Sequence, residues 1–442
     1  MKTLGLGAVW LVTALSVGAQ DRQVPRKFTS KTGVRTITQS DSNSDTVAIC
    51  LFVRAGAAEE GGLPGLGAFA SRAIFGSNQQ QSSDAVRRNI YDAGGSLESR
   101  WTPDYTLFTC VTTKAGFRDA MYLLSTAVKS ADFDAESMKR AREEVTEQAS
   151  KENADPFQVG YSALRTRLYA EGPYRQSFAP TPDDMRRLNS ANVRNYFVKR
   201  YTPENTVISV VGNIQAETVE RTVENLFVDY DRAPGKAPLP IIEQYGEASR
   251  VTRPASTGTT LLLAGYRAPA IDSPDYPAAL VLSALLGGGK SSRLFHQVRD
   301  VGGVGYSVGT YFPALAHAGH IVAYTEYDPA RDAKKEDVAG GQGSAAEKLL
   351  IETVQSIATN PPAAKEVDRA KRYAAGSYAL SHQRTRDRAF HLGWYETIGV
   401  GFTFDSELTK RIEAVTVEDV QRVAKKCLVN PVIVIVRPST LP

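Results

Sequence analysis

An arginine and a tyrosine in a glycine-rich segment are the side chains of this sequence best suited to catalysis. Arg299 is followed seven positions later by Tyr306, and three glycines lie between them. A guanidinium stays positively charged at physiological pH, and a phenol donates one hydrogen bond. Together they suit a carbonyl group that becomes an oxyanion. The alternative interpretation is a surface arginine and a core tyrosine beside a turn.

The histidines do not form an evident metal site. All five lie in the second half of the chain: His296, His317, His320, His382 and His391. His317 and His320 fall in a strand-like run, where an odd spacing directs the two rings to opposite faces of the sheet. Each histidine is therefore expected to have an ordinary role on the surface or in the core.

The length and charge of the chain indicate two soluble domains. The 442 residues suit two domains of roughly 200 residues each. Lysine and arginine number 52 and aspartate and glutamate 48, which gives a net charge of only +4. Because charges of both signs are interspersed, the sequence lacks the basic surface typical of a nucleic-acid-binding protein.

The first 19 residues have the pattern of a secretory signal. Lys2 precedes an apolar stretch from Leu4 to Val17, and small residues end at Ala19. We expect cleavage after Ala19 and a periplasmic or otherwise exported protein. A signal retained as a membrane anchor is the alternative. No later run is apolar and long enough to span a bilayer.

The three cysteines are scattered, at Cys50, Cys110 and Cys427. Cys50 and Cys110 both lie in apolar, strand-like runs. We expect buried free thiols, and a disulfide between Cys50 and Cys110 is the minor alternative. No cysteine spacing typical of a structural zinc site is present.

The order of predicted elements repeats with a period near 230 residues. Each half begins with a β-rich run, at 46–53 and 259–266, and continues with an apolar helix. Each half also ends with a helix and a strand. The proline-rich stretch 232–245 separates the halves and predicts a linker. We therefore expect an α+β protein with two similar, duplicated domains, 20–231 and 246–442, each a mostly antiparallel sheet packed with helices.

The whole mature chain resembles the inverzincin family of zinc peptidases, which includes pitrilysin, insulin-degrading enzyme and the mitochondrial processing peptidase. The resemblance rests on the glycine-marked frame at 56–67 and 94–97, and on the helix–glycine–helix segment 285–295. The size of the chain fits the short, two-domain branch, in which two such chains pair into a closed clamshell. This chain would form half of that clamshell.

The resemblance implies that the zinc centre has been lost. Active members carry His-x-x-Glu-His on one helix and a further glutamate on a later helix. Transferred to this sequence, the histidines fall on Ala68 and Arg72, the catalytic base on Ser71, and the last ligand on Gln148. None of these side chains can hold zinc or generate hydroxide. We expect no metal in this chain, and zinc in a partner.

The resemblance also implies which residues handle substrate. Arg299 and Tyr306 match the family's Arg/Tyr pair, which reaches across the clamshell and stabilises the tetrahedral oxyanion. Arg293 is a less certain second candidate. The segment Gly95, Ser96, Leu97 and Glu98 resembles the edge strand on which family members lay an extended peptide. The charges of this strand equally suit protection of an exposed edge.

The sequence thus predicts the zinc-less subunit of a heterodimeric metallopeptidase that acts on peptides. A homologous subunit with an intact His-x-x-Glu-His motif would be its partner. The alternative is an inactive structural or peptide-binding scaffold, similar to the core subunits of a respiratory complex. An enzyme that uses other metal ligands is a third option, for which the sequence offers no cluster.

Overall fold

The computed structural model describes residues 23–57, 60, 62–76, 85, 88, 92, 95–175, 180–232, 244–332 and 344–439. The predicted signal peptide, 1–19, and most of the predicted linker lie outside the described residues. At the two ends of that linker, Arg232 stacks over the ring of Phe197 and Tyr245 belongs to a short strand. The boundaries of the two domains stay a prediction.

The described strands form two large sheets and a two-stranded ribbon. In chain order they are β1 (Arg26–Thr29), β2 (Arg35–Ser40), β3 (Val47–Val53), β4 (Ser96–Trp101), β5 (Thr106–Thr112), β6 (Tyr169–Glu171), β7 (Thr206–Gly212), β8 (Gln244–Tyr245), β9 (Ser249–Ala255), β10 (Thr260–Ala268), β11 (Gly305–Tyr311), β12 (Gly319–Tyr327) and β13 (Val432–Pro438).

The described helices cover both sheets. In chain order they are α1 (Leu66–Ala73), α2 (Phe117–Ser130), α3 (Ala135–Ala154), α4 (Pro156–Leu168), α5 (Pro182–Arg187), α6 (Ser190–Arg200), α7 (Ala216–Leu226), α8 (Tyr276–Gly287), α9 (Pro329–Asp332), α10 (Ala345–Thr359), α11 (Ala364–Leu380), α12 (Thr385–Thr397), α13 (Phe404–Glu413) and α14 (Val417–Cys427). A π-helix spans Phe295–Val301.

The two large sheets repeat one topology. The first has the order β1-β2-β7-β3-β5-β4, and the second has the order β9-β13-β10-β12-β11. Apart from β1, the strands correspond one to one. Each sheet has one parallel pair, β2 with β7 and β9 with β13, and its other pairs are antiparallel. The predicted α+β fold, with duplicated and mostly antiparallel sheets, is confirmed.

The helix before the last strand of each large sheet begins in the same way in both halves. Asn189 and Asn192 form a capping box at the start of α6, which leads towards β7. Thr416 and Asp419 form the equivalent box at the start of α14, which leads into β13. In each box the side chain of one residue accepts the backbone N–H of the other. The repeat is therefore conserved in how its helices start as well as in strand order.

The two halves exchange one helix each. Helix α4, from the first half, packs on β9, β10 and β13 of the second sheet, whereas α12, from the second half, packs on β3 and β7 of the first. Both contacts are close because each helix has a glycine there. A Cβ at Gly393 would lie 2.5 Å from Phe52 Cε2, and a Cβ at Gly160 would lie 2.2 Å from Leu263 Cδ1. Helix α12 belongs to one apolar core shared by the two halves, and α4 belongs to a second.

The cysteines are free and buried, as predicted. Cys50 of β3 pairs with Thr109, and its neighbour Ile49 pairs with Cys110 of β5. Consecutive strand residues point to opposite faces, so the two thiols lie in different apolar clusters. The alternative of a disulfide between them was wrong for that reason. Within the described ranges, no helix has both the length and the apolar character needed to cross a bilayer.

Candidate functional site

Helix α1 carries three of the four positions at which the family's zinc chemistry was expected. Ala68 and Ser71 are buried, and Arg72 is partly exposed. The Ser71 hydroxyl donates to the carbonyl of Ala68 at 2.8 Å, so it is already used inside its own helix. Of these side chains, neither alanine nor arginine offers a lone pair to a cation.

A buried glutamate fixes the start of this helix. The carboxylate of Glu60 accepts the backbone N–H groups of Gly65 and Gly67, at 2.9 and 2.8 Å. Burial raises the pKa of Glu60 to about 8, although the two N–H groups act to lower it. Gly65 has a φ of 95°, which favours glycine. A Cβ at Gly67 would lie 2.2 Å from Trp101 Nε1, so α1 needs glycine there to approach strand β4.

Arg72 places a fixed positive charge where a zinc ligand was expected. Its side chain is 19% exposed, and its Nε lies 4.0 Å from Glu144 Oε2 on α3. Its Nη1 donates to Ser71 Oγ at 3.0 Å. Burial lowers the pKa of Arg72, and the charge of Glu144 acts against that shift. A guanidinium nonetheless stays charged in proteins, so it repels a dication at this position.

Gln148 completes the four positions from helix α3. Its Nε2 donates to Glu152 Oε1 at 2.9 Å, one turn further along the helix. Ala68, Arg72 and Gln148 line one cavity of about 870 Å³, whereas Ser71 is fully buried beside it. The fold therefore brings the expected positions together. Their donor set does not fit zinc, which needs imidazole, thiolate or carboxylate ligands.

The cavity lies between the two halves of the chain. Edge strand β4 contributes Glu98 from the first half, and Tyr311, Arg386 and Phe390 come from the second. Glu98 and Arg386 form an ion pair at 3.2 Å that links β4 to helix α12. The cavity is thus walled by both domains and by one exchanged helix.

Strand β4 is the end strand of the first sheet in the described part of the chain. Ser96 and Glu98 are exposed, and Leu97 is partly buried against the core. Gly95 precedes the strand, and a Cβ there would lie 2.5 Å from the carbonyl oxygen of Val111. An end strand is the part of a sheet to which an extended peptide can add. The role of these residues in substrate binding stays a prediction.

Arg299 and Tyr306 lie next to each other at the equivalent edge of the second sheet. Arg299 Nη1 donates to the carbonyl of Tyr306 at 3.1 Å, and its guanidinium carbon lies 4.7 Å from the centre of the Phe295 ring. The register of β11 shifts between Gly305 and Ser307, so Tyr306 sits at a bulge, and it is 48% exposed. Neither Arg299 nor Tyr306 lines the cavity beside α1. Their catalytic role stays a prediction.

Arg293 has a different environment from Arg299. Its Nε and Nη2 donate to both oxygens of Glu366, at 3.1 and 2.9 Å, and its Nη1 donates to Ser356. The bond from Arg293 holds the pKa of the Glu366 carboxyl below its usual value. This bidentate pair ties the segment before the π-helix to α10 and α11. The geometry favours a structural role for Arg293.

His317 and His320 differ in exposure, but the prediction that both lie in one strand was wrong, because β12 begins at Gly319 and His317 precedes it. His317 is exposed, whereas His320 is fully buried. The ring nitrogens of His320 are hydrogen-bonded to the hydroxyls of Tyr161 and Tyr169, at 2.9 and 2.7 Å. Burial lowers the pKa of His320 to about 3, so this ring is a neutral core residue.

One group of metal-ligand side chains was missed by the sequence reasoning. His382, His391 and Asp405 converge in the second half, with one ligand atom of each within 4.8 Å of the others. His382 precedes α12, His391 lies within it, and Asp405 lies in the first turn of α13. The nine-residue spacing of the histidines was a weak signal, and nothing in the sequence connects them to the aspartate.

Comparison with known proteins identifies the family. The sequence pattern described as "Insulinase (Peptidase family M16)" matches residues 35–181, and that described as "Peptidase M16 inactive domain" matches residues 187–373. This chain therefore belongs to the M16, or insulinase, family of peptidases. The two matches follow one another along the chain, as expected for a two-domain member.

Several relatives have names that indicate zinc-dependent proteolysis. An uncharacterized zinc protease of Bacillus subtilis, YmxG, is 25% identical over 407 residues, covering 91% of this chain and 95% of its own. An uncharacterized zinc protease of Mycobacterium tuberculosis is also 25% identical, over 412 residues and 91% of each chain. These names describe the relatives.

Solved structures show the same architecture. An M16 inactive domain from Pseudomonas fluorescens has a TM-score of 0.82 at 20% identity, covering 95% of this chain and 98% of its own. A protease from Helicobacter pylori also has a TM-score of 0.82, at 18% identity, covering 94% and 99%. At these identities the comparison establishes the fold alone.

Proposed function

We propose that this chain is the zinc-less subunit of a heterodimeric M16 metallopeptidase that acts on peptides. The observation that carries the proposal is the donor set beside α1. Ala68, Arg72 and Gln148 line the cavity in which a family member would bind its metal. Because none of them is an imidazole, thiolate or carboxylate, the chain would depend on a homologous partner with an intact His-x-x-Glu-His motif.

Arg299 and Tyr306 would supply the second half of the partner's active site. Tyr306 is half exposed, and the Arg299 guanidinium is held beside it by the bond to its carbonyl oxygen. Both residues lie away from the chain's own cavity, so they are accessible to a second subunit. A fixed cation and a phenol hydroxyl at this edge suit the oxyanion that forms when a peptide carbonyl is attacked.

The edge strand β4 would hold the substrate in an extended conformation. Main-chain hydrogen bonds along 95–98 would provide affinity without sequence selectivity, and the adjoining cavity would receive alternate side chains. Bound zinc in the partner would supply an activated water molecule. This chain would orient the peptide and stabilise the oxyanion.

The second candidate function is a structural or peptide-binding scaffold. The ion pair between Glu98 and Arg386 favours it, because it engages a charge of the edge strand inside the chain. The exposed Arg/Tyr pair favours the peptidase subunit, since a scaffold has no need for an oxyanion-binding pair. We further propose that the protein is exported, on the basis of the signal-like residues 1–19.

The first prediction tests the Arg/Tyr pair in the assembled complex. The chain alone should not cleave an unstructured peptide, and the mixture with its zinc-bearing partner should. Arg299→Ala or Tyr306→Phe should reduce turnover by about 10²–10³-fold, because each removes one donor to the oxyanion. The loss should appear in kcat more than in KM.

The matched control is Arg253→Ala, which removes an exposed arginine from the edge strand β9 of the same sheet. It should leave turnover unchanged. Assembly is measured for each variant by size-exclusion chromatography. Activity within about twofold of the unmodified complex for both variants, with assembly intact, would favour the scaffold. Loss of assembly would assign the pair to the interface between subunits instead.

A further inference from the structure

We infer that the second half of this chain contains a binding site for a divalent transition metal, formed by His382, His391 and Asp405. The three side chains come from three places in the fold. His382 lies between α11 and α12, His391 lies within α12, and Asp405 lies in the first turn of α13. This site is separate from the altered zinc positions on α1 and α3.

The three ligand atoms are already almost close enough together to share one metal ion. His382 Nε2 lies 2.8 Å from Asp405 Oδ1, and all three ligand atoms lie within 4.8 Å of one another. Around a tetrahedral zinc with bonds of about 2.0–2.1 Å, ligand atoms are separated by roughly 3.3 Å. The separation of His382 and Asp405 lies below that value, and no pair of ligand atoms is more than 4.8 Å apart. Rotations of the side chains would therefore create the site.

Hydrogen bonds to the outer side of the ligands orient them. His382 Nδ1 donates to the carbonyl of Tyr378 at 2.7 Å, which leaves Nε2 as the nitrogen that faces the aspartate. The hydroxyl of Tyr378 donates to Asp405 Oδ1 at 2.6 Å. Such partners, which fix the ring and the carboxylate, are typical of histidine and carboxylate ligands in metal sites.

One ring nitrogen also lacks a partner. Within the described ranges, Nδ1 of His391 is buried without a hydrogen bond, and its Nε2 lies 3.2 Å from Ser381 Oγ. Buried polar atoms are normally satisfied, so this nitrogen requires an explanation. The ring stacks on His382, with 4.1 Å between centroids. Coordination requires a tilt of one ring out of this stack, which is a rotation of its side chain.

The charges around the site suit a cation. The Asp405 carboxylate lies 2.8 Å from His382 Nε2, and Asp387 adds a second carboxylate in the first turn of α12. Two imidazoles and one carboxylate are the donors that zinc and its neighbours in the transition series prefer over calcium or magnesium.

The position of the site indicates what the metal would do. Helix α12, which carries His391, packs on the sheet of the first half, and α11 and α13 belong to the second. A bound metal would hold the start of this exchanged helix against its own half. The expected effect is therefore on the stability of the two-domain arrangement rather than on peptide hydrolysis.

Metal titration of the full mature chain, without any partner, tests this inference. After dialysis against a chelator, the protein is titrated with Co²⁺ alone, and the visible ligand-field bands of four-coordinate cobalt are recorded. One equivalent should bind and be displaced by Zn²⁺. Zn²⁺ should also raise the unfolding temperature. Because the partner is absent, this result is independent of the proposed peptidase role.

The variants separate the site from other histidines. His391→Phe keeps an aromatic ring in the stack and should abolish binding and the thermal shift. Tyr378→Phe should weaken binding by about 10–100-fold, as expected for a residue that orients a ligand. His296→Ala, an exposed histidine of the same half, should bind as the unmodified protein does.

Two outcomes would overturn the inference. One is a folded, unmodified protein that binds neither metal, which would leave His382 and Asp405 as a simple ion pair. The other is binding that persists in His391→Phe and in Asp405→Asn, which would place the metal elsewhere. Circular dichroism of each metal-free variant shows whether it is folded, so a failure to bind can be interpreted.

Discussion

In both halves of the molecule, five strands run in the same spatial order and end in an exposed edge strand, β4 in the first half and β11 in the second. Beside β4 lies a cavity with an alanine, an arginine and a glutamine at the expected ligand positions. At β11 an arginine and a tyrosine sit together on the surface. The halves thus share a backbone and differ in the chemistry of a few side chains.

The two halves keep the same strand order although positions 68, 71, 72 and 148 of the first half carry no imidazole or carboxylate. Glu60 still caps α1, and Gly67 still allows that helix to approach Trp101. The altered positions are accommodated without a polar defect, because Ser71 bonds within its helix and Gln148 bonds to Glu152. The frame around the four positions is therefore intact in this chain.

The largest expected effect therefore comes from rebuilding the zinc site on the intact frame. The combined change Ala68→His, Ser71→Glu, Arg72→His and Gln148→Glu should give one tightly bound zinc per chain, because positions 68 and 72 lie one turn apart and share the cavity with position 148. Arg72→His alone should bind none there, since one imidazole is far short of a four-coordinate site.

Both proteins in that experiment carry His391→Phe, so that the proposed second-half site does not contribute. Zinc is measured by elemental analysis after gel filtration. A folded quadruple variant without zinc would mean that the frame around α1 has changed along with its ligands. The two halves would then differ in backbone structure as well as in side chains.

Much of the fold could be predicted because its determinants are local. The apolar runs at 46–53 and 259–266 became the central strands β3 and β10. These features depend on residues that are near each other in the chain.

The rest depends on contacts between distant residues, which no local pattern reveals. The exchange of α4 and α12 follows from the fit of Gly160 and Gly393 against the opposite sheets. The cluster of His382, His391 and Asp405 appears only after three helices have packed. For the site, the sequence located the positions on α1 and α3, but the ion pair between Glu98 and Arg386 is a tertiary contact.

The exchanged helices should be equally sensitive to a single methyl group. Gly393→Ala and Gly160→Ala each place a Cβ inside a packed interface, so each should destabilise the protein by about 1–3 kcal/mol. Gly376→Ala is the control, since a Cβ there meets nothing within 4 Å in helix α11. It should stabilise by about 0.5–1 kcal/mol, the difference in helix propensity between glycine and alanine.

Urea denaturation at pH 7 measures all three variants. A decrease in stability for Gly393→Ala without one for Gly160→Ala would show that only one of the two exchanged helices is tightly packed. Stabilisation by all three substitutions would argue against tight packing at both interfaces. The control separates the effect of helix propensity from the effect of packing, because all three variants have the same substitution inside a helix.

Acid should weaken the second half through His320. Its pKa is lowered by burial to about 3, against 6.5 in an exposed position, so the unfolded chain takes up the proton first as the pH falls. The contribution of His320 to the free energy of unfolding is therefore constant above about pH 6.5 and is lost progressively towards pH 3. At 1.36 kcal/mol per pH unit, the loss between pH 7 and pH 5 is roughly 2 kcal/mol.

His320→Gln tests that assignment, because an amide does not titrate in this range and can still bond one tyrosine hydroxyl. The free energy of unfolding is measured by urea denaturation at pH 7 and at pH 5. Its decrease between the two should be about 2 kcal/mol smaller in this variant than in the unmodified protein. His296→Gln, at an exposed position, should keep the full decline. An unchanged decline in His320→Gln would assign the acid sensitivity to other groups.

The smallest effects should come from the equivalent helix caps, where the halves can be compared residue by residue. Asn189→Ala removes the side-chain oxygen that accepts the backbone N–H of Asn192, a bond of 3.0 Å. Thr416→Ala removes the matching acceptor for Asp419, a bond of 3.1 Å. Each change should destabilise the protein by about 1 kcal/mol, the usual effect of losing an N-cap.

Both caps are exposed capping boxes, so the two decreases in the free energy of unfolding should agree within about 0.5 kcal/mol in urea denaturation. The double variant should show their sum. Two separate unfolding transitions in either variant would contradict this, because they would mean that the halves unfold independently in spite of the helices they exchange.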